Sequence, residues 1–149
     1  MPQRPTTGVV IDTNVWISAA LSQNGAPAQL VRKAIAQGQV VLTTPIFEEL
    51  SRRIWLPKFD CYLSLEARNL LLHDINCVAH WVEVDENIAT SAYCRDKNDD
   101  KFIHAALAAA PAWLVTGDDD LLVLAKTLAS RQVKIVTPAE ALVTLEILP

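Results

Sequence analysis

Cysteine, glycine and aromatic residues are all scarce in this chain of 149 residues, which has three Cys, four Gly and 6% Phe, Trp and Tyr combined. Cys61, Cys77 and Cys94 are odd in number and form no Cys-x-x-Cys pair. That argues against a disulfide framework or a thiolate zinc site and predicts reduced, packing thiols in a cytoplasmic protein. The low aromatic content stands beside 51% hydrophobic residues, mostly Ala, Leu and Val. That mixture suits helices packed on a buried sheet better than an all-β sandwich. No apolar run reaches bilayer length: the longest, Ala105 to Val115, is interrupted at Pro111 and falls well short of the ~20 residues a spanning helix needs. Met1 to Gly8 has no apolar core of a secretory signal, and residues 1–7 read as a disordered tail. Basic residues are also in deficit, 13 against 17 acidic ones, for a formal charge of −4. A protein that grips nucleic acid by a broad basic field alone is thereby excluded. An enzyme that reaches a phosphodiester through bound cations is not.

What the chain does contain is an alternation. Val9-Val10-Ile11, Val40 to Thr43, Trp81 to Val84, Ala112 to Val115 and Val133 to Val136 read as buried strands. Between them the spacing predicts helices over Trp16 to Leu21, from Pro27 to a C-terminal Gly38, and over Pro45 to Trp55. Further helices are expected after an N-cap at Ser64, with Leu65, Leu70, Leu71 and Leu72 as apolar positions, over Glu86 to Tyr93, over Phe102 to Ala110, over Asp119 to Ala129, and from Pro138 onward. Strands alternating with helices call for one α/β domain over residues 1–149, a three-layer α/β/α sandwich on a parallel sheet.

Ligands of such sheets sit beyond the carboxyl ends of the strands, where the strand order reverses. Four segments deliver acid to that rim: Asp12 after the first strand, Glu48 and Glu49 on the helix after the second, Asp99 and Asp100 before the fourth, and Asp118 after it. Asp12 alone reads equally as a helix cap, and Asp99 and Asp119 read as caps. Glu49 shares a helix face with Ile46 and Arg53 and is the inward candidate, whereas Glu48 pairs with Arg52. Converging carboxylates repel, and a divalent cation removes that penalty. An all-oxygen ligand set suits Mg2+ or Mn2+ rather than zinc. His73, His80 and His104 show no ligand spacing, and His104, one turn after Asp100, reads as a packed or half-exposed side chain.

Taken together, these segments resemble a known family. Val9-Val10-Ile11-Asp12-Thr13-Asn14 is similar to the opening of PIN domains, and Pro45-Ile46-Phe47-Glu48-Glu49-Leu50 to their second motif. Asp99-Asp100-Lys101-Phe102-Ile103-His104 resembles the third motif, and Thr116-Gly117-Asp118-Asp119-Asp120-Leu121 the fourth. The similarity runs in order from Val9 to Leu142, nearest to the VapC-like toxins of type II toxin–antitoxin systems. It implies a five-stranded sheet of order 3-2-1-4-5 and a metal-dependent ribonuclease. It further implies catalytic acids at Asp12, Glu49, Asp100 and Asp118, with Asp12, Asp100, Asp118 and Asp120 holding Mg2+ or Mn2+. Thr13, Asn14, Asp99 and Thr116 are the supporting groups. The Asp99/Asp100 doublet and the Asp118 to Asp120 triplet each admit a shift in register. Arg52, Arg53, Lys97 and Lys101 lie near the rim for contact with RNA phosphates. Expected partners are RNA, a cognate antitoxin and a second copy of the chain.

Three other readings compete. Aspartate-nucleophile phosphatases begin Asp-x-Asp, but Asn14 fills the third position here. A receiver domain would use Asp85, but its companion Lys after the fifth strand is not evident. A catalytically silent PIN scaffold that binds RNA or a protein is the remaining alternative.

Overall fold

The computed structural model of the protein describes residues 7–147, with side chains as far as residue 144. The tail expected over residues 1–7 lies, apart from Thr7, outside the described residues. The chain runs through β1 (Gly8–Ile11), α1 (Thr13–Leu21), α2 (Ala26–Ala36), β2 (Val40–Leu42), α3 (Thr44–Ile54), α4 (Leu65–Val78) and β3 (His80–Trp81). It continues through α5 (Glu86–Ala89), α6 (Asp100–Ala108), β4 (Ala112–Val115), α7 (Asp119–Leu122), α8 (Ala125–Ala129), β5 (Val133–Val136) and α9 (Pro138–Ile147). The five strands form one parallel sheet of order β3-β2-β1-β4-β5, as the resemblance implied. The strand order runs one way from β1 to β3 and the other way from β3 to β5, and right-handed crossovers, the rule for parallel strands, then place helices on both faces. β1 and β4 lie side by side with Ile11 opposite Val115, and their carboxyl ends form the switch point.

The core follows the β-branched runs. Every residue of β1, β2 and β4 is buried, the pattern of parallel strands covered on both faces. α6 packs on β1 and β4, burying Phe102, Ile103, Ala105 and Ala106. α2 presents Leu30, Val31 and Ala34 inward and packs against α1 and α9. Gly38, expected as the residue that closes α2, has φ 66°, the left-handed conformation that glycine adopts without penalty. At Gly8 the constraint is a close approach. A Cβ there would lie 2.6 Å from Val41 Cγ2, and a β-branched core side chain has little room to yield. Gly8→Ala is therefore expected to destabilise the fold by about 1–3 kcal/mol, read as a lower urea midpoint at an unchanged m-value.

Several elements differ from the sequence reading. β3 pairs only over His80 and Trp81, not Trp81 to Val84, because β2 offers just three residues for pairing. The expected helix from Glu86 stops at Ala89 instead of Tyr93, where the Thr90 hydroxyl bonds back to the Glu86 carbonyl at 2.9 Å. The expected helix over Asp119 to Ala129 is broken between α7 and α8. α1 starts at Thr13 and α6 at Asp100, earlier than expected. Ser64 does cap α4, accepting the Ala67 N–H at 3.0 Å. Of the leucines assigned to its apolar face, however, Leu65 and Leu70 are exposed, and the buried positions are Arg68 and Ile75. Arg68 is buried by an ion pair to Asp60 at 3.0 Å and by stacking on Trp55. Cys61 and Cys77 are exposed rather than packed, and only Cys94 is half-buried. No helix among the described residues is long and apolar enough to cross a membrane.

Candidate active site at the switch point

The turn out of β1 fixes the first acid. The Asp12 N–H bonds the Val115 carbonyl of β4 at 3.0 Å, and the chain then turns at once into α1. Asp12 caps that helix, its Oδ1 accepting the Asn14 N–H at 3.3 Å, yet its side chain serves more than a cap. Oδ2 accepts the hydroxyl of Thr116, the residue after β4, at 2.7 Å, and Asp12 is 4% exposed. Burial raises the Asp12 carboxyl above its ordinary range; the Thr116 and Asn14 bonds oppose the rise, and the charges of Asp118 and Glu49 add to it. Among the described residues, the two bonds that hold this carboxylate come from neutral donors, and it makes no ion pair. The Thr116 hydroxyl also accepts the Asp118 N–H at 3.0 Å, which ties the loop after β4 to the end of β1.

Glu49 enters from α3 on the buried face, as expected, while Glu48 is exposed and makes no ion pair with Arg52 among the described contacts. The Thr13 hydroxyl donates to Glu49 Oε2, and Lys101 Nζ sits 2.9 Å from Oε1. Burial works against ionisation of Glu49, but Thr13, Lys101 and Arg53 outweigh it and hold the carboxyl below its usual value. Arg53 Nη2 donates to Asn14 Oδ1 at 2.7 Å. Two of the four cations assigned to RNA thus have partners inside the rim, whereas Arg52 and Lys97 are exposed.

The third-motif doublet divides. Asp100 is buried, and its Oδ1 accepts the N–H groups of Tyr93 and Cys94 at 3.1 and 2.7 Å. Burial would raise its carboxyl, but those amides, the Cys94 thiol and the nearby His104 outweigh it and hold the carboxyl low. His104 is half-buried, as expected, with Nε2 2.7 Å from the Ser91 carbonyl. The Cys94 thiol is pushed up to about 12 by its burial and by Asp100. Asp99, read from the sequence as a cap, makes no capping bond; it lies in the helical turn Lys97–Asp99, which Asp96 caps instead. The Asp99 carboxyl is raised to about 6 by burial and by the charges of Asp118, Asp96, Asp12 and Glu49. Asp119 does not cap α7 either. Asp118 does, accepting the Asp120 N–H at 2.9 Å, with Asp120 itself exposed.

The structure brings Asp12, Glu49 and Asp118 to one rim, and the sequence reading did not anticipate the Lys101–Glu49 pair, which spans α6 and α3, or the half-buried Asp99 carboxyl facing them. Among the described residues no group of three or more His, Cys, Asp or Glu side chains is drawn together as a metal site. Glu49 is turned to Thr13 and Lys101, and Asp100 to the backbone of residues 93 and 94.

These shifts predict a pH dependence. A carboxyl whose pKa is higher folded than unfolded binds its proton more readily in the folded chain, so it adds stability as pH falls. For Asp99 that gain is absent above about pH 6 and grows as pH drops toward its unfolded value of 3.8. Asp12 acts in the same direction, whereas Glu49 and Asp100 act oppositely, losing stability only below the ordinary carboxylate range. In EDTA, the thermal transition is expected to rise as pH falls from 7.5 toward 5, and Asp99→Asn to flatten that limb.

An open parallel sheet with partly buried, mutually repelling carboxylates at its switch point defines an α/β domain whose candidate site lies beyond the carboxyl ends of β1 and β4. A model of the PIN domain matches residues 8–120, and the chain belongs to the PIN domain family. PIN domains are in general metal-dependent nucleases. The chain is also 36% identical over 118 residues to an uncharacterized protein of Methanocaldococcus jannaschii, covering 78% of this chain and 74% of that protein.

Proposed function

We propose that the chain is a Mg2+- or Mn2+-dependent endoribonuclease hydrolysing RNA phosphodiesters in the cytoplasm. In this reading it is the toxin of a toxin–antitoxin pair, held by a cognate antitoxin and pairing as a homodimer. One observation carries the nuclease reading: Asp12 is ionisable, 4% exposed, bonded among the described residues by neutral donors and burdened by the charges of Asp118 and Glu49. A hard divalent ion fits that deficit, and the donors on offer are all carboxylate oxygens. Asp12, Asp118 and Asp120 would hold it, with the third-motif ligand coming from Asp100 or, in the neighbouring register, Asp99. Bound there, Mg2+ or Mn2+ supplies Lewis acidity toward the scissile phosphate and acidifies a water.

The remaining residues position and screen. Thr116 fixes the Asp12 carboxylate and the following loop with one hydroxyl. Glu49 stays ionised at neutral pH and holds the Lys101 ammonium at the rim, facing the phosphates that Arg52, Arg53 and Lys97 also reach. Asp100 holds the backbone of Tyr93 and Cys94 beside the site. The toxin assignment rests on the likeness of the four motifs to the VapC-like branch.

Engagement of both Glu49 oxygens by Thr13 and Lys101 favours one rival, a silent PIN scaffold that binds RNA uncut. Incubation with Mn2+ and a panel of structured and unstructured RNAs separates the two readings. Internal cleavage supports the nuclease; intact RNA retained on the protein supports the scaffold.

A further inference from the structure

Beside the acidic rim, a cavity of about 330 Å3 opens between α1, the start of α2, the loop after β4 and the start of α9. Val15, Pro27 and Pro138 supply its apolar lining, and Asn14, Ser18 and Asp118 its polar groups. We propose that this cavity is a nucleobase subsite, receiving one unstacked base of the RNA strand next to the bond that is cut. The inference rests on the nuclease reading of the acidic rim and adds the chemistry of what lies beside the scissile bond.

The occupant follows from the cavity's chemistry. Its volume falls at the small end of the ~300–1,000 Å3 typical of small-ligand sites, with the usual mix of apolar lining and few polar groups. Val15 is buried, while Pro27 and Pro138 are half-buried, so a flat ring has apolar surface to cover. Asp118 belongs both to the cavity and to the acidic rim, so whatever fills the cavity is continuous with the reacting strand. Its negative charge disfavours a phosphate inside and suits a ring that presents N–H donors. Arg53 holds Asn14 by Oδ1, which leaves the Asn14 amide N–H groups as donors toward the cavity. Among the described residues, neither Asn14 Nδ2 nor Ser18 Oγ makes a hydrogen bond. An apolar lining with a donor, a hydroxyl and a carboxylate at its edge matches a base read on its polar edge, the usual recognition mode for single-stranded RNA.

The test uses the full chain, labelled for NMR and held in EDTA, titrated separately with uncharged nucleosides, ribose and inorganic phosphate. Nucleosides are expected to shift the amides of Val15, Ser18 and Gly117, while ribose and phosphate leave them in place. Ser18→Trp, on the exposed side of α1 and outside the acidic rim, should fill the cavity and abolish those shifts. In cleavage assays it should raise KM about tenfold with kcat within about twofold of the wild type. Equal shifts with phosphate, no shifts with any nucleoside, or unaltered KM in a folded Ser18→Trp protein would each overturn the subsite. Nucleoside shifts in a wild-type protein that cuts no RNA would instead overturn the nuclease reading and leave the base-binding cavity standing.

Discussion

Asp12→Asn is expected to reduce RNA cleavage by at least about 100-fold while leaving the thermal transition at or above that of the wild type. Asparagine keeps the shape of the side chain and an oxygen for the Thr116 hydroxyl, which sits 2.7 Å from Asp12 Oδ2. It removes the charge. That charge is buried and repelled by Asp118 and Glu49, so its loss relieves the fold as it disables the site. Paired activity and melting measurements separate this outcome from simple unfolding, in which both would fall together. Full activity in the folded variant would take the reacting centre away from the switch point.

Metal removal carries the second large effect. EDTA should stop cleavage, and Mn2+ should restore it. The same ion should stabilise the protein, because a ligand at a hundred times its Kd adds about 2.7 kcal/mol to the folded state. In a domain of this size that corresponds to roughly 5–10 °C in Tm. Asp12→Asn should abolish most of the Mn2+-dependent rise, since the variant has less repulsion for the ion to neutralise. A Tm unmoved by Mn2+ in the wild type, together with EDTA-resistant cleavage, would count against the carboxylate rim as a cation site.

Much of the frame was legible because it depends on local pattern. Val9-Val10-Ile11, Ala112 to Val115 and Val133 to Val136 are short apolar runs bounded by turn residues, and each forms a strand where expected. Asp12 and Asp118 follow directly from two of those strand ends. What escaped the sequence depends on partners far apart along the chain. Lys101 and Glu49 meet 52 positions apart, and nothing in either motif specifies that contact. Arg68 is buried in α4 at a position that a periodicity reading would place in solvent, and its neighbours Trp55 and Asp60 come from the preceding segment. Asp99 was misread as a cap because its identity suits one. Its backbone, at φ −87° and ψ −13°, already lies within the helical turn, and Asp96 takes the capping role instead. Residues 90–93 read as helix because their composition permits it, but Asp100 accepts the backbone amides of Tyr93 and of the following Cys94.

The two edges of the sheet have a consequence for how the chain behaves when crowded. At one margin β3 offers only His80 and Trp81, too short a template for a foreign strand to extend. At the other, β5 carries Lys134, whose ammonium lies 5.3 Å from the centre of the Trp113 ring on the adjacent strand. A newcomer aligning with β5 would strip water from that ammonium. Both margins therefore resist strand-to-strand fibre growth, a useful property for a domain whose interior strands are so uniformly apolar.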